Sequence, residues 1–167
     1  MRSDVVVGTD GSPSGTAAVQ WAAHEAARQR SDLWVLHVVA RHANSQVVAA
    51  ARRVLNQAAA TARATEPTVR VLAELRTGDV ALELLEEAAN SSVLVLGSRG
   101  HGGVVGLVVG SVCQKVAGHT TGAVVVVRDL PGTDKDEIVV GFDGSEASRR
   151  AVAFAFEQAH RRHARLH

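Results

Sequence analysis

The sequence predicts an α/β fold: a five-stranded parallel sheet with helices on both faces. Short β-branched runs alternate along its 167 residues with longer, Ala-rich stretches of helical period. The runs are apolar almost throughout, as in strands covered on both faces. The helices between them supply the crossovers that parallel strands require. Composition agrees, with 46% hydrophobic and 21% charged residues, as a globular chain has.

The elements follow in order. Residues 4–10, "DVVVGTD", form a buried first strand. Ser12 before Pro13 supplies an N-cap and then the residue best tolerated at the first helical position. The helix over 13–30 places Ala17, Val19, Trp21, Ala22 and Ala26 near one face. "LWVLHVVA" (33–40) is the second strand, and the helix over 46–65 ends at Glu66-Pro67. "TVRVLAEL" (68–75) alternates as a third strand, and 79–90 is an acidic helix capped by Asp79. Strand four is 92–98, a helix covers 110–119, and "GAVVVVR" (122–128) is strand five at a sheet edge. This domain spans 1–129.

Residues 130–137 read as a linker, and the chain then repeats itself. At a constant offset of 133, twelve of twenty-nine positions are identical, including Gly8, Asp10, Gly11 and Ser12 as Gly141, Asp143, Gly144 and Ser145. The repeat over 138–167 is read as the first strand and helix of a second, incomplete copy, hence a tandem protein truncated shortly into its second domain. Val139, Phe142 and Phe156 are too apolar to trail in solvent, which predicts ordered docking, exchanged between two chains.

Several function classes drop out. Eighteen basic against seventeen acidic residues give no field for nucleic acid or an anionic membrane. One cysteine, Cys113, excludes an internal disulfide and a two-cysteine metal site. No run approaches the roughly 18 apolar residues of a membrane span, and "MRSDVVVGTD" has no leader character, so the expected location is cytoplasmic.

Function is concentrated where glycine is. Six of the fourteen residues over 97–110 are glycine, between strand four and a helix. Ligands of parallel sheets gather beyond the carboxyl ends of the strands. Unpaired N–H groups at the helix start, with the positive end of the helix dipole, suit a phosphate there. Gly97 and Gly100 would let a flat group or a phosphate touch bare backbone, and the Ser111 hydroxyl would donate to a phosphate oxygen. A P-loop is absent, because no Lys follows Gly110. "GHGGVVG" is only a loose dinucleotide fingerprint, in the wrong place. A third pattern fits at every fixed position: Gly97, two residues, Gly100, nine residues, Gly110-Ser111.

With that spacing, and with "VVVGTDGS", "VLHVV" and "GAVVVVR", the chain resembles the universal stress protein family in its ATP-binding branch. The resemblance implies ATP as ligand, bound alone or with Mg or Mn. Gly8, Thr9 and Asp10 would meet the nucleotide, with Asp10 near the ribose or a metal-bridged phosphate. Val38 would offer backbone to the adenine edge. Gly97, Ser98, Arg99, Gly100, His101, Gly102 and Gly103 would wrap the ribose and phosphates, and Gly110, Ser111 and Val112 would receive the phosphates. It also implies that fifth strands pair between two domains, which for a chain with an incomplete second copy predicts an intermolecular homodimer, and a regulatory, stress-response role whose signalling partner the sequence does not name.

Plainer readings accompany these. Asp10 and Ser12 also serve as turn and cap residues. Arg99 is either a phosphate partner or a solvated charge. His101 has no nucleophile or carboxylate paired with it, Cys113 reads as a packed residue, and His160, His163 and His167 read as surface. No catalytic or metal residue is assigned, and at most slow ATP hydrolysis is expected. The rival readings are a nucleotidyl- or hydride-transfer enzyme of similar architecture, and an interaction module with an empty loop. Gly97→Val and Gly100→Val are expected to abolish ATP binding and spare the fold.

Overall fold

The computed structural model describes residues 4–100, 109–128 and 136–167. The chain divides into two compact units, Met1–Asp129 and Leu130–His167. In the first, β1 (Val5–Gly8), β2 (Leu33–Val39), β3 (Val71–Thr77), β4 (Val93–Gly97) and β5 (Val124–Val127) form one sheet, in the order β3-β2-β1-β4-β5. Every neighbouring pair is parallel. Helices α1 (Pro13–Gln29) and α2 (Ser45–Thr65) pack together, as do α3 (Val80–Asn90) and α4 (Ser111–His119). The sheet is built in one direction from β1 to β3 and in the other from β4 to β5. Right-handed crossovers therefore put the two helix pairs on opposite faces.

Alternation along the central strands splits the core. Val6, Leu36, Leu94 and Leu96 pack with Leu84 and Ala88 of α3 and with Cys113 and Val116 of α4. Val5, Val7, Val93 and Val95 point the other way, toward the face of α1, where Ala18, Val19, Ala22, Ala23 and Ala26 are fully buried. Each large aliphatic side chain so buried contributes about 1.5–3 kcal/mol. The buried stripe of α1 is thus rotated from the expected one. Ala17 and Trp21 are only half-buried, because small residues at 18, 22 and 26 let the helix lie close to the sheet.

Helix starts follow their caps. Ser12 accepts from the Gly15 N–H, Asn44 from the Val47 N–H, and Asp79 from the Ala81 and Leu82 N–H groups. Strand β3 begins at Val71 rather than at residue 68. The Val69 N–H bonds back to the Glu66 carbonyl at 3.2 Å, so the chain is still turning there. Arg76 of β3 then ties this edge to α3, with Glu74 at 2.7 Å, Glu87 at 2.6 Å and Glu83 at 3.8 Å. The hydrogen bond to Glu74, with those to Glu87, raises the guanidinium pKa further and keeps it charged.

Gly97 is where α1 meets the sheet. A Cβ there would lie 2.6 Å from the carbonyl carbon and oxygen of Ser14 and 2.7 Å from the Gly15 nitrogen. These are backbone atoms, so the absence of a side chain sets how closely helix and strand approach. Gly97→Val therefore reports on the fold, contrary to the expectation that it would spare it.

The second unit holds β6 (Glu137–Ile138), α5 (Glu146–Arg162) and β7 (Arg165–Leu166). The repeat does not end after one strand and one helix. Leu166, counterpart of Leu33, lies in β7, which pairs parallel with β6. Glu137, assigned to the linker from the sequence, opens β6 and meets Arg165 at 3.2 Å. The βα turns of the two units share one geometry. Gly11 has φ +84° and Gly144 φ +83°, a region that favours glycine. The Ser12 N–H donates to Asp10 Oδ1 at 3.0 Å, and the Ser145 N–H to Asp143 Oδ1 at 2.9 Å. Hydrogen bonds from Ser145, side chain first, lower the Asp143 carboxyl to about 2. Val139, Phe142 and Phe156 are exposed, at 80%, 65% and 62%.

The Gly97 contact predicts that Gly97→Ala destabilises the first unit by roughly 1–3 kcal/mol, the range of an overpacked site. The urea midpoint measures this; a variant as stable as the wild type refutes the close approach of α1.

Candidate functional site

Strand β1 is where the sheet reverses direction. Connections leaving its carboxyl end and that of β4 part to opposite faces, and a crevice opens between them. Here it is a cavity of about 520 Å³. Its two ends differ in chemistry. Beside β2 and α3 the wall is apolar, made by Leu36, Val38, Val80 and Leu84. Beside β4 and α4 it is bare backbone and charge, from Gly97, Arg99, Gly100, Gly110 and Ser111, with Asp10 at the end of β1. Such a slot accepts a flat apolar body carrying an anionic tail.

The polar end rests on the start of α4. Its N-cap is Gly110, which makes no side-chain hydrogen bond. The first helical bond runs from the Gln114 N–H to the Gly110 carbonyl at 3.0 Å. The N–H groups of Ser111, Val112 and Cys113 precede it and have no partner within the helix, and the helix dipole adds partial positive charge. The other three helices of this unit spend side chains on the same groups; α4 does not.

Two serines strap the loops together. Ser12 and Ser14 both donate to the Arg99 carbonyl, Ser12 at 3.1 Å. Ser14 also accepts from the Arg99 N–H at 3.3 Å. The Arg99 side chain is exposed at the cavity rim. A Cβ on Gly100 would run into Asp10 Oδ2, so the bare Cα leaves that carboxylate its place. Asp10 also holds the Gly11 turn through the Ser12 N–H, so turn and rim are served by one side chain.

The expected site residues are distributed as follows. Gly8, Thr9, Asp10, Val38, Gly97, Arg99, Gly100, Gly110, Ser111 and Val112 line the cavity. Ser98 does not. It is buried, its N–H donating to the Val127 carbonyl at 2.8 Å and its carbonyl accepting from the Gly110 N–H at 2.7 Å. Its backbone therefore fixes where α4 starts. His101, Gly102 and Gly103 lie outside the described residues.

Sequence reading missed the strap Ser14, the apolar wall of Leu36, Val80 and Leu84, and His37, whose Nδ1 lies 2.6 Å from the Thr9 carbonyl oxygen. Two signals were available. Val80 opens a helix that follows a strand, so it must start at this sheet edge, and Leu36 lies two residues before Val38. Cys113 lines the cavity floor and donates to the Gly97 carbonyl at 2.9 Å. Burial, and then the Asp10 carboxylate, raise its pKa, so it is a packed thiol rather than a nucleophile. Among the described residues no group of three or more His, Cys, Asp or Glu could hold a metal, and no helix is long and apolar enough to cross a membrane.

Known proteins share this fold. The chain is 31% identical to Universal stress protein Rv1996 of Mycobacterium tuberculosis, over 95% of its own length and 59% of that protein's. It thus spans less than two thirds of such relatives. A crystal structure of a universal stress protein in complex with cAMP is 28% identical, with TM-score 0.60, covering 77% of this chain and 98% of that one. A universal stress protein from Archaeoglobus fulgidus superposes on 100% of this chain and 66% of its own, with TM-score 0.80; at 20% identity this speaks to the fold. The model of the universal stress protein family matches residues 1–128 and again 136–167. With its strand order, its cavity at the strand reversal and its repeated βα opening, this chain belongs to the universal stress protein family.

Proposed function

We propose that the cavity binds ATP and that the protein works as a nucleotide-dependent regulator in a stress response. The carrying observation is the split wall, apolar beside β2 and α3 and bare backbone at the uncapped start of α4. A nucleotide has the matching halves. Its base would lie against Leu36, Val38 and Leu84, with the backbone of Val38 facing the base edge. Its phosphates would meet the N–H groups of Ser111 and Val112 and the Arg99 guanidinium. The relative crystallised with cAMP supports an adenine nucleotide as the ligand class. A Mg or Mn ion, if bound, would be held by Asp10, whose carboxylate lines this cavity, and would supply positive charge to the phosphates.

ATP is read here as a signal rather than consumed. Its γ-phosphate meets helix N–H groups, which bind anions without supplying a base for attacking water. We also propose a homodimer through β5, whose four valines are all half-buried at the sheet edge.

Ser111→Asp tests the phosphate site separately from the fold. An acidic first-turn residue favours a helix by about 0.3–1 kcal/mol but repels phosphate. The expected result is an unchanged or raised melting temperature with ATP affinity weakened about tenfold or more, equivalent to about 1.4 kcal/mol. Unaltered affinity by calorimetry would move the phosphates elsewhere. Phosphate release should stay far below roughly 1 per second, the low end of ordinary enzyme turnover; faster steady-state release makes the protein an ATPase. For the dimer, Val124→Pro is informative. The Ala123 carbonyl bonds to β4, so the Val124 N–H points to the open edge, and proline is tolerated at the first position of a strand. Light scattering should find a dimer for the wild type and one chain for the variant.

A further inference from the structure

The end of β1 contains a substitution of hydrogen bonds that has a consequence for the ligand. In the β1–β2 ladder the Thr9 N–H donates to the Leu36 carbonyl at 3.0 Å. In a parallel pair the next rung would run from the Val38 N–H to the Thr9 carbonyl. Among the described residues that rung is not made: β1 ends at Gly8 while β2 continues to Val39. The His37 ring takes its place, with Nδ1 at 2.6 Å from the Thr9 oxygen. A carbonyl oxygen only accepts, so Nδ1 carries the hydrogen.

Among the described residues the Val38 N–H is therefore open. Backbone groups of successive strand residues face opposite neighbours. The Val39 carbonyl accepts from the Gly78 N–H on the β3 side, at 2.9 Å. Val38 must then face the β1 side, past the point where β1 has stopped, and there it lines the cavity. Its N–H and carbonyl lie side by side on that edge, a donor beside an acceptor.

We infer that His37 is a positioning residue: its ring holds the Thr9 carbonyl, which has a second lone pair to spare, in an orientation turned from the Val38 N–H, so that the β1–β2 ladder stops one rung early and the N–H stays open for a nucleobase edge. This rests on the nucleotide reading of the cavity for its ligand, and on the ladder alone for its geometry. It also accounts for a polar ring at this position of an otherwise apolar strand. A Phe or Leu in place of His37 would release the Thr9 carbonyl, and the two backbone groups would close on each other.

The test uses the ligand-free full chain first. Amide exchange by NMR should find the Val38 N–H exchanging freely in the wild type. In His37→Phe it should slow about tenfold or more, as one backbone hydrogen bond forms. In His37→Asn, whose side-chain nitrogen can reach the place of Nδ1, exchange should stay fast. ATP titration of the same proteins should show affinity weakened about tenfold or more for Phe and near wild type for Asn. A Val38 amide already protected in the wild type, unchanged exchange in His37→Phe, or unchanged ATP affinity in that variant each overturns the proposal. If the Phe variant fails to fold, a protected Val38 amide in the wild type still overturns the proposal, and the Asn variant still tests it. Imidazole nitrogen spectra must place the hydrogen on Nδ1, and finding it on Nε2 alone refutes the inference. A wild type that binds no ATP ends the nucleotide reading, while the Val38 exchange result still decides whether His37 stops the ladder.

Discussion

At Gly97 the end of β4 and the first turn of α1 approach until backbone touches backbone, and much of the site depends on that contact. With Ser14 and Gly15 pressed against the strand end, the Ser14 hydroxyl is close enough to close a two-way hydrogen bond with Arg99. Ser12, two residues earlier, can reach the same carbonyl. The loop after β4 is thereby fastened at its root to the loop after β1. Both rims of the cavity are set by one van der Waals distance, and a single methyl group at residue 97 would push them apart.

A second dependence runs through hydrogen bonds left unmade. The sheet could continue one rung further between β1 and β2, and α4 could carry a side-chain cap as its three companions do. Each satisfied group would be modestly stabilising by itself, about 0.5–1.5 kcal/mol. Instead the chain places Gly110 at one end and His37 at the other, and keeps backbone donors facing one cavity. Functional sites are where local structure rules are commonly broken, and here the breaks occur at opposite ends of one slot.

Much of the fold was legible in the sequence for a clear reason. Apolar runs such as "VVVG" and "VLVLG" are buried on both faces, and Ser12 and Asp79 mark helix starts by chemistry that acts over three residues. What escaped was set at longer range. The start of β3 depends on a turn at Glu66 and on how far β2 extends, and the buried stripe of α1 depends on its approach to the sheet. The site divided the same way. Glycine spacing identified the polar end, because bare backbone is visible as glycine. The apolar wall was invisible, since Leu36 and Leu84 look like any core leucine until α3 is placed across the strand ends. Ser98 misled for the opposite reason: it sits within the glycine-spaced stretch, yet its backbone is spent on β5 and on Gly110.

The paired turns at Gly11 and Gly144 carry a further meaning. The φ angles of the two glycines agree within a degree, and their serine and aspartate bonds within a tenth of an ångström, although among the described residues only the first lies beside a five-stranded sheet. Among the described residues the second has two short strands and one helix in its unit. The conformation is therefore encoded by "DGS" and the helix that follows it, not by its surroundings. Such a segment behaves as a portable cassette: grafted between a strand and a helix of an unrelated scaffold, it should arrive already shaped, its aspartate pre-aimed. A protein engineer could move half of this cavity rim as a short peptide insertion and would need to build only the other half.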